Sequence, residues 1–215
     1  KDWDKNAGSR GLLPHEYVHS WNGKYRRPAD LWTPHFNTPM QNSLLWVYEG
    51  QTQFWGRVLA ARSGLESTEQ AIDGLAQVAA TYQGRSGRAW RSLQDTTNEG
   101  TMQAKRSGKE WHDWQRSADY YDESALIWLD VDSLLRERTQ EQKGMDDFAR
   151  LFFGGTAGEL GPQTYRLDDV VATLQQLAPY DWAGFLQQRL NALGSDMPDP
   201  LAGLTRAGWA LVWKD

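Results

Sequence analysis

The chain has 215 residues, of which 40% are hydrophobic, so it can bury the core of one large domain. Its 23 basic and 28 acidic residues give a net charge of −5, and neither a basic run nor a bilayer-length apolar run occurs, which argues against nucleic acid and membranes as partners. Cysteine is absent, which excludes disulfides and cysteine-ligated zinc and leaves histidine and carboxylate side chains to hold any metal.

The first predicted helix, residues 12–21, carries two of the chain's 4 histidines and ends at an Asn-Gly pair. His15 and His19 are one helical turn apart, so both imidazoles lie on one face and can reach the same metal ion. Glu16 points about 100° away around the helix, where it is poorly placed as a third ligand but well placed to hold a metal-bound water as a base. Two histidines at this spacing can also be packed and hydrogen-bonded on an amphipathic helix, so the short motif alone leaves both interpretations open.

A proline-containing loop leads to a second predicted helix, which Asn42 or Ser43 can cap and Gly64 ends. Glu49 lies in this helix amid apolar residues. A buried carboxylate needs a partner, either a metal ion or the cation of an arginine or lysine. Gly56 shares the helix face of Glu49 and has no side chain, so another element can approach closely there.

Helical patterns continue through most of the remaining chain. Ser67 and Gln70 suit a capping box for a third helix. Residues 83–116 are polar and weakly periodic, which predicts a long irregular excursion. Strong helical periodicity returns in residues 119–138, and three further helices are expected, each opened by an aspartate, at residues 146–153, 168–177 and 181–193. The alternating tail of the chain, from residue 207 onward, predicts a short C-terminal strand.

Two segments taken together, HEYVHSWNGKYRRP and LLWVYEGQTQFW, resemble the glycyl aminopeptidase family of zinc metallopeptidases, a branch of the thermolysin-like group. The resemblance continues through RAWRSLQDTT, SADYYDESALIWLDVDSLLRE, DDFARLFFG and TYRLDDVVATLQQLAPYDWAGFL, so it covers nearly the whole chain. It implies a mainly α fold, the helical half of a thermolysin-like catalytic domain, in residues 1–200. Residues 201–215 would then be a linker or strand toward a C-terminal module.

The resemblance also implies a metal site and a catalytic base. His15, His19 and Glu49 would bind one zinc ion per chain, with the glutamate supplied by the helix that follows the two histidines. Glu16 would act as the general base on the zinc-bound water and would then deliver the proton to the leaving amine.

Related zinc aminopeptidases use a tyrosine to stabilise the oxyanion, and DYYDESAL occupies the corresponding place here. Tyr121 aligns best, although Glu123 and Ser124 stand where those relatives have lysine and glycine, so the choice between Tyr120 and Tyr121 stays open. Tyr121 can alternatively be a buried tyrosine at a helix start. His112 is a rival for the same role, since thermolysin-like endopeptidases use a histidine for it.

Two more residues are candidates to support the metal ligands or to contact substrate. Asn22 follows the metal-binding helix directly, and a ligating histidine usually donates its other N–H to such a group. Gln53 lies one helical turn beyond Glu49, where its amide oxygen could accept the N–H of a histidine.

The expected function is zinc-dependent hydrolysis of peptides, as an aminopeptidase that prefers small N-terminal residues such as glycine or alanine. The resemblance further implies an N-terminal β domain before this chain and a PDZ-like module after it. Two alternatives stay open: a catalytically weak or inactive domain that binds peptides as a scaffold, and an endopeptidase. We expect a soluble protein, in either the periplasm or the cytoplasm.

Overall fold

The computed structural model describes Trp3, Lys5 and residues 9–100, 111–155 and 161–213, without the side chain of His112. These residues form a mainly helical fold with one pair of short strands, which confirms the predicted fold class. The helices are α1 (Leu12–Val18), α2 (Leu45–Arg62), α3 (Thr68–Gln83), α4 (Leu93–Glu99), α5 (His112–Gln115), α6 (Asp122–Arg138), α7 (Met145–Phe153), α8 (Leu167–Leu177), α9 (Trp182–Asn191) and α10 (Ala202–Arg206). Strands β1 (Arg26–Pro28) and β2 (Gln163–Tyr165) pair in parallel.

Helix α2 lies at the centre of the fold and packs against both α1 and α6. Trp46 of α2 and Trp128 of α6 are fully buried, and their rings stack with centroids 5.6 Å apart. A Cβ atom on Gly50 would lie 2.2 Å from Cβ of Ser124, so the two helices touch where α2 has no side chain. Burial of two indoles and backbone contact at a glycine therefore fix α6 against α2.

The predicted close approach at Gly56 is confirmed. A Cβ atom there would lie 3.1 Å from both Cα and Cβ of His15, so the backbone of α1 rests on this position of α2. Any larger side chain would push α1 away. The glycine thus sets the distance between the helix that carries the histidines and the helix that carries Glu49.

The capping box predicted for α3 is confirmed, and the cap predicted for α2 is not. Ser67 accepts a hydrogen bond from the backbone N–H of Gln70, and the capping box is complete. The cap predicted for α2 at Asn42 or Ser43 is wrong, because the helix begins at Leu45 and the Ser43 hydroxyl donates instead to Asp30 Oδ2. Helix α1 ends at Val18, three residues before the predicted end, and leaves His19 as its C-terminal cap.

The segment 83–116 is more ordered than predicted. A 3-10 turn at Ser86–Ala89 is followed by α4 and α5, although residues 101–110 lie outside the part that is described. These helices are one or two turns long, which is too short for hydrophobic periodicity to reveal. Ion pairs between distant parts of the chain hold them, as when Arg85 Nη1 donates to Asp113 Oδ1 at 3.0 Å.

The C-terminal segment also differs from its prediction. Residues 207–213 form no strand, and Trp209 lines an apolar groove together with Leu75 and Leu129 while its side chain stays largely exposed. Just before it, α10 packs on α6, where a Cβ atom on Gly203 would lie 2.6 Å from Cα of Asp130. Among the described residues, no helix combines the length and apolar character that crossing a bilayer requires.

Candidate metal centre

The two histidines of the first helix face the same point. His15 is buried in the last turn of α1, and His19 follows as the C-terminal cap with helical backbone angles. Their ring centroids are 4.9 Å apart, and the rings are nearly perpendicular, at 86°. Helical geometry through residue 19 therefore preserves the shared face that the spacing predicts.

Glu49 of α2 completes a cluster of three metal-ligating side chains. Its Oε2 lies 3.5 Å from Nε2 of His15 and 3.4 Å from Nε2 of His19. The three ligand atoms all lie within 4.8 Å of one another. Ligand atoms arranged tetrahedrally at ~2.0–2.1 Å from a zinc ion are themselves ~3.4 Å apart, so the two contacts of Glu49 match those around a single ion.

The carboxylate of Glu49 is short of partners. Its Oε2 is buried and has no hydrogen bond, because both histidine contacts are longer than a good hydrogen bond of ~2.7–3.2 Å. Burial raises the pKa of Glu49, but the two imidazoles outweigh it and lower the pKa overall, so the group is a carboxylate. No arginine or lysine among the described residues pairs with it, contrary to the alternative that the sequence left open. A cation held by all three side chains would remove this deficit.

A hydrogen-bonded network that includes Asn22 holds the imidazole of His19 in place. Its Nδ1 lies 3.0 Å from the backbone oxygen of Asn22, and the ring of Tyr48 stacks on it with centroids 4.8 Å apart. Asn22 is itself fully buried: its side-chain amide donates to the backbone oxygens of Val47 and Tyr48 at 3.0 Å, and its Oδ1 accepts from the Tyr165 hydroxyl at 2.8 Å. Asn22 thus contacts His19 through its backbone, while its side chain ties the end of α1 to α2 and β2.

Gln53 makes a different contact from the one expected. Its Nε2 donates to Asp122 Oδ1 at 2.9 Å, and Nδ1 of His15 has no hydrogen-bond partner. Since Nδ1 of His19 meets the backbone of Asn22, neither histidine uses the Gln53 amide. Gln53 instead lines the cleft beside the cluster.

An open cleft of about 390 Å³ leads to His15. Its other lining residues come from three parts of the chain. Gly11, Leu12 and Glu16 belong to α1 and the residue before it, Gln53, Arg57 and Glu66 to α2 and the segment after it, and Tyr121 to the start of α6. The exposed Glu16 therefore faces the same space as His15. A water molecule or a peptide can reach both.

The tyrosine pair lies at the start of α6. The ring of Tyr121 lies 6.0 Å from that of His15 and lines the cleft, whereas Tyr120 packs against the hydrophobic core. The side chain of His112, the rival for the oxyanion, lies outside the described part of the chain. The structure thus brings Tyr121, and not Tyr120, to the candidate centre.

Sequence reasoning missed the residues that support the cluster from a distance. Tyr165 reaches Asn22 across 143 positions of the chain, and no local pattern marks such a contact. Tyr48 offered a weak signal, because it stands next to Glu49, but only the packing shows that its ring covers His19.

A helical fold with two imidazoles and a carboxylate beside an open cleft defines a candidate metal centre of the kind that hydrolases use. The sequence model of the M61 glycyl aminopeptidases matches residues 8–127, which is more than half of the chain, so the chain belongs to this peptidase family. The predicted family is thereby confirmed. No curated protein matches the sequence of the chain.

The fold is similar to that of a solved structure, an aminopeptidase N family protein from Idiomarina loihiensis, with a TM-score of 0.62 and 21% sequence identity. The similarity covers 88% of this chain and 32% of that protein. The chain therefore spans about a third of the length of that relative, and at this identity the likeness concerns the fold alone.

Proposed function

We propose that this chain binds one zinc ion through His15, His19 and Glu49 and forms part of the catalytic domain of a peptidase. The observation that carries the proposal is the convergence of three ligand atoms around a buried carboxylate oxygen that has no other partner. Two histidines and a glutamate are a ligand set used by catalytic zinc, with one coordination position left for substrate or water. The open cleft beside His15 gives access to that position.

The chain's own residues supply the proton transfers and the charge stabilisation. Zinc, when bound, would lower the pKa of water toward about 7 and polarise the scissile carbonyl. Glu16, which faces the cleft, takes the proton of the attacking water and delivers it to the leaving amine. The Tyr121 hydroxyl donates a hydrogen bond to the carbonyl oxygen as negative charge develops there.

Family membership supports an aminopeptidase that prefers small N-terminal residues such as glycine or alanine. The alternative of an inactive peptide-binding scaffold has less support, because the three ligands, the base and the tyrosine all remain, and His15, Glu16 and Tyr121 line one cleft. An N-terminal β domain and a C-terminal PDZ-like module stay part of the proposal for the complete protein.

The test combines metal analysis with one substitution. Zinc should be present at about one ion per chain and should be lost in the His19→Ala variant, as measured by elemental analysis. Glu16→Gln should keep the zinc but lose about 10²–10⁴-fold in kcat/KM on glycine and alanine anilides, since it removes the base but no ligand. Glu69→Gln is the matched control, because Glu69 is exposed in the first turn of α3 and lies outside the cleft.

Three outcomes would count against the proposal in different ways. A protein that folds without zinc and gains none on titration has no such site. Unchanged turnover in Glu16→Gln would refute the assigned base. Cleavage restricted to blocked internal peptides would replace the aminopeptidase by an endopeptidase.

A further inference from the structure

A second polar cavity adjoins the metal cleft. It has a volume of about 470 Å³ and lies between α2, α3 and the start of α6. Arg57 and Glu66 line both spaces, so the two cavities meet along these side chains. The space accessible from the metal cluster therefore continues beyond the residues that the proposed chemistry uses.

The distance along α2 indicates which part of a peptide would reach this junction. Glu49, Gln53 and Arg57 follow one another at intervals of one helical turn, and a rise of ~1.5 Å per residue puts Arg57 about 12 Å beyond Glu49 along the axis. An extended peptide advances ~3.3–3.6 Å per residue. A substrate whose scissile bond lies at the cluster would thus bring its third or fourth residue from that bond to Arg57 and Glu66.

At the junction of the two cavities, Arg57 has a partner of opposite charge, whereas Glu66 has none among the described residues. Arg57 Nη2 donates to Asp122 Oδ1 at 2.8 Å, so the charge of this arginine has a partner. At the far side of the second cavity, Arg85 pairs with Asp113 at 3.0 Å. The carboxylate of Glu66 is half-buried and makes no hydrogen bond or ion pair with any residue that the structure describes.

The position of Glu66 is fixed from both sides of the cleft. Its backbone N–H donates to the oxygen of Ala60 at 3.1 Å, which holds the residue at the end of α2. Its Oε1 lies 3.5 Å from where a Cβ atom on Gly11 would be, so the carboxylate faces the start of α1. A carboxylate that lacks a partner among the described residues and lies beside an open cleft can meet a cation that enters with the substrate.

We propose that Glu66 determines specificity by binding a lysine or arginine side chain at the third or fourth residue from the scissile bond. This inference rests on the proposed peptidase function and adds a substrate class to it, namely peptides with a basic residue at that distance. If the enzyme removes only the first residue, the junction holds the leaving peptide, because a single residue of the substrate then lies on the other side of the bond.

The test is a charge reversal at Glu66, read out as a ratio between substrates. Pentapeptide amides Gly-Ala-Ala-Xaa-Ala, with lysine, norleucine or glutamate as Xaa, place the variable side chain third after the first peptide bond. The wild-type protein should favour lysine over glutamate by roughly twofold to fivefold in kcat/KM, as expected for a partly exposed ion pair, and Glu66→Lys should invert the ratio. The control Glu69→Lys makes the same change outside the cleft and should leave the ratio as it is.

Binding of the same peptides to the Glu16→Gln variant separates this inference from the proposed function. If peptides bind with the lysine preference but are not cleaved by the wild type, the peptidase function fails and the Glu66 subsite stands. If they are cleaved with equal kcat/KM for all three residues, the function stands and the subsite is refuted. A preference for glutamate would also refute it, since Arg57 would then be the residue that contacts the substrate.

Discussion

Two of the glutamates in the central helices of this fold, Glu49 and Glu123, have surroundings that differ in one decisive respect. Glu123 of α6 is buried and accepts hydrogen bonds from Arg88 Nε, at 2.8 Å, and from Arg116. Glu49 of α2 meets two imidazoles at 3.4 and 3.5 Å, and its Oε2 has no hydrogen bond. The first carboxylate is paired by guanidinium groups of the chain itself. The second has no such partner among the described residues, and it is here that we propose that a metal ion binds.

The comparison teaches that burial of a carboxylate does not by itself indicate function. Arg116 also donates to Asp119 at 2.7 Å, so Glu123 belongs to a closed network that joins α6 to the segment before it. The cluster at Glu49 borders an open cleft, whereas the Glu123 network is enclosed by protein. A buried charge that is fully paired is expected to maintain structure, and one that is partly paired beside solvent is a candidate site for a ligand.

The largest effect is expected when Glu123 and Glu49 are each replaced by alanine and the stabilities of the two variants are compared. Glu123→Ala removes the carboxylate partner of Arg88 and one of the two carboxylate partners of Arg116, both buried, and should lower the free energy of unfolding by about 3–5 kcal/mol. Glu49→Ala removes a carboxylate whose Oε2 has no hydrogen bond, so the chelator-treated protein should change by only about 1 kcal/mol while metal binding is lost. Urea unfolding at pH 8 with chelator, together with elemental analysis, measures both. An equal loss of stability in the two variants would show that Glu49 is structural.

A smaller effect is expected at the tyrosine pair. Tyr121→Phe removes the hydroxyl proposed to stabilise the oxyanion and should lower kcat about 10²-fold with the metal content unchanged. Tyr120→Phe is the control, since Tyr120 packs against the core and does not line the cleft. Steady-state kinetics on a glycine anilide distinguishes them. If both variants lose activity equally, the position of Tyr121 in the cleft has no catalytic meaning.

Local sequence patterns predicted what depends on neighbouring residues. The spacing of His15 and His19 needs only a helix, and the role of Gly56 needs only the absence of a Cβ atom. The apolar context of Glu49 predicted a buried carboxylate in need of a partner, and the structure places it against both histidines. These features could be predicted because helix geometry fixes them within a few residues.

What the sequence did not predict depends on contacts between distant residues. The helices within 83–116 are too short to show a hydrophobic period. The predicted cap of α2 is wrong because the Ser43 hydroxyl donates to Asp30 instead. The same reason separates Gln53 from the histidines, since Asp122 of a distant helix binds its amide. Side-chain partners of this kind follow from the fold as a whole.

Substitution of Tyr165 tests how strongly metal binding at the cluster depends on a contact from a distant part of the chain. Tyr165→Phe removes the donor to Asn22 Oδ1, and Asn22 carries the backbone oxygen next to His19 Nδ1, so zinc affinity should fall about 10–100-fold. Competition with a chromophoric chelator measures the affinity directly, without reference to turnover. Tyr180→Phe is the control, because Tyr180 is partly exposed and lies at the start of α9, away from the cluster. Unchanged affinity in the Tyr165 variant would mean that the α1–α2 contact alone positions His19.

The smallest effect is expected at an exposed ion pair, which completes the comparison between paired carboxylates. Arg62 donates to both oxygens of Asp146, at 2.7 and 2.8 Å, and these bonds lower the pKa of Asp146. A carboxyl group whose pKa is lowered by folding contributes stability above its unfolded pKa, and this is lost as the pH falls through the folded value. Because the two side chains are 52% and 36% exposed, the contribution should stay below about 1 kcal/mol and shrink in 1 M salt. The free energies of unfolding of Asp146→Asn and the wild type, measured in urea, should therefore differ slightly at pH 6 and converge as the pH falls through the folded pKa of Asp146. A difference of the size expected for Glu123→Ala would contradict the distinction between exposed and buried pairs.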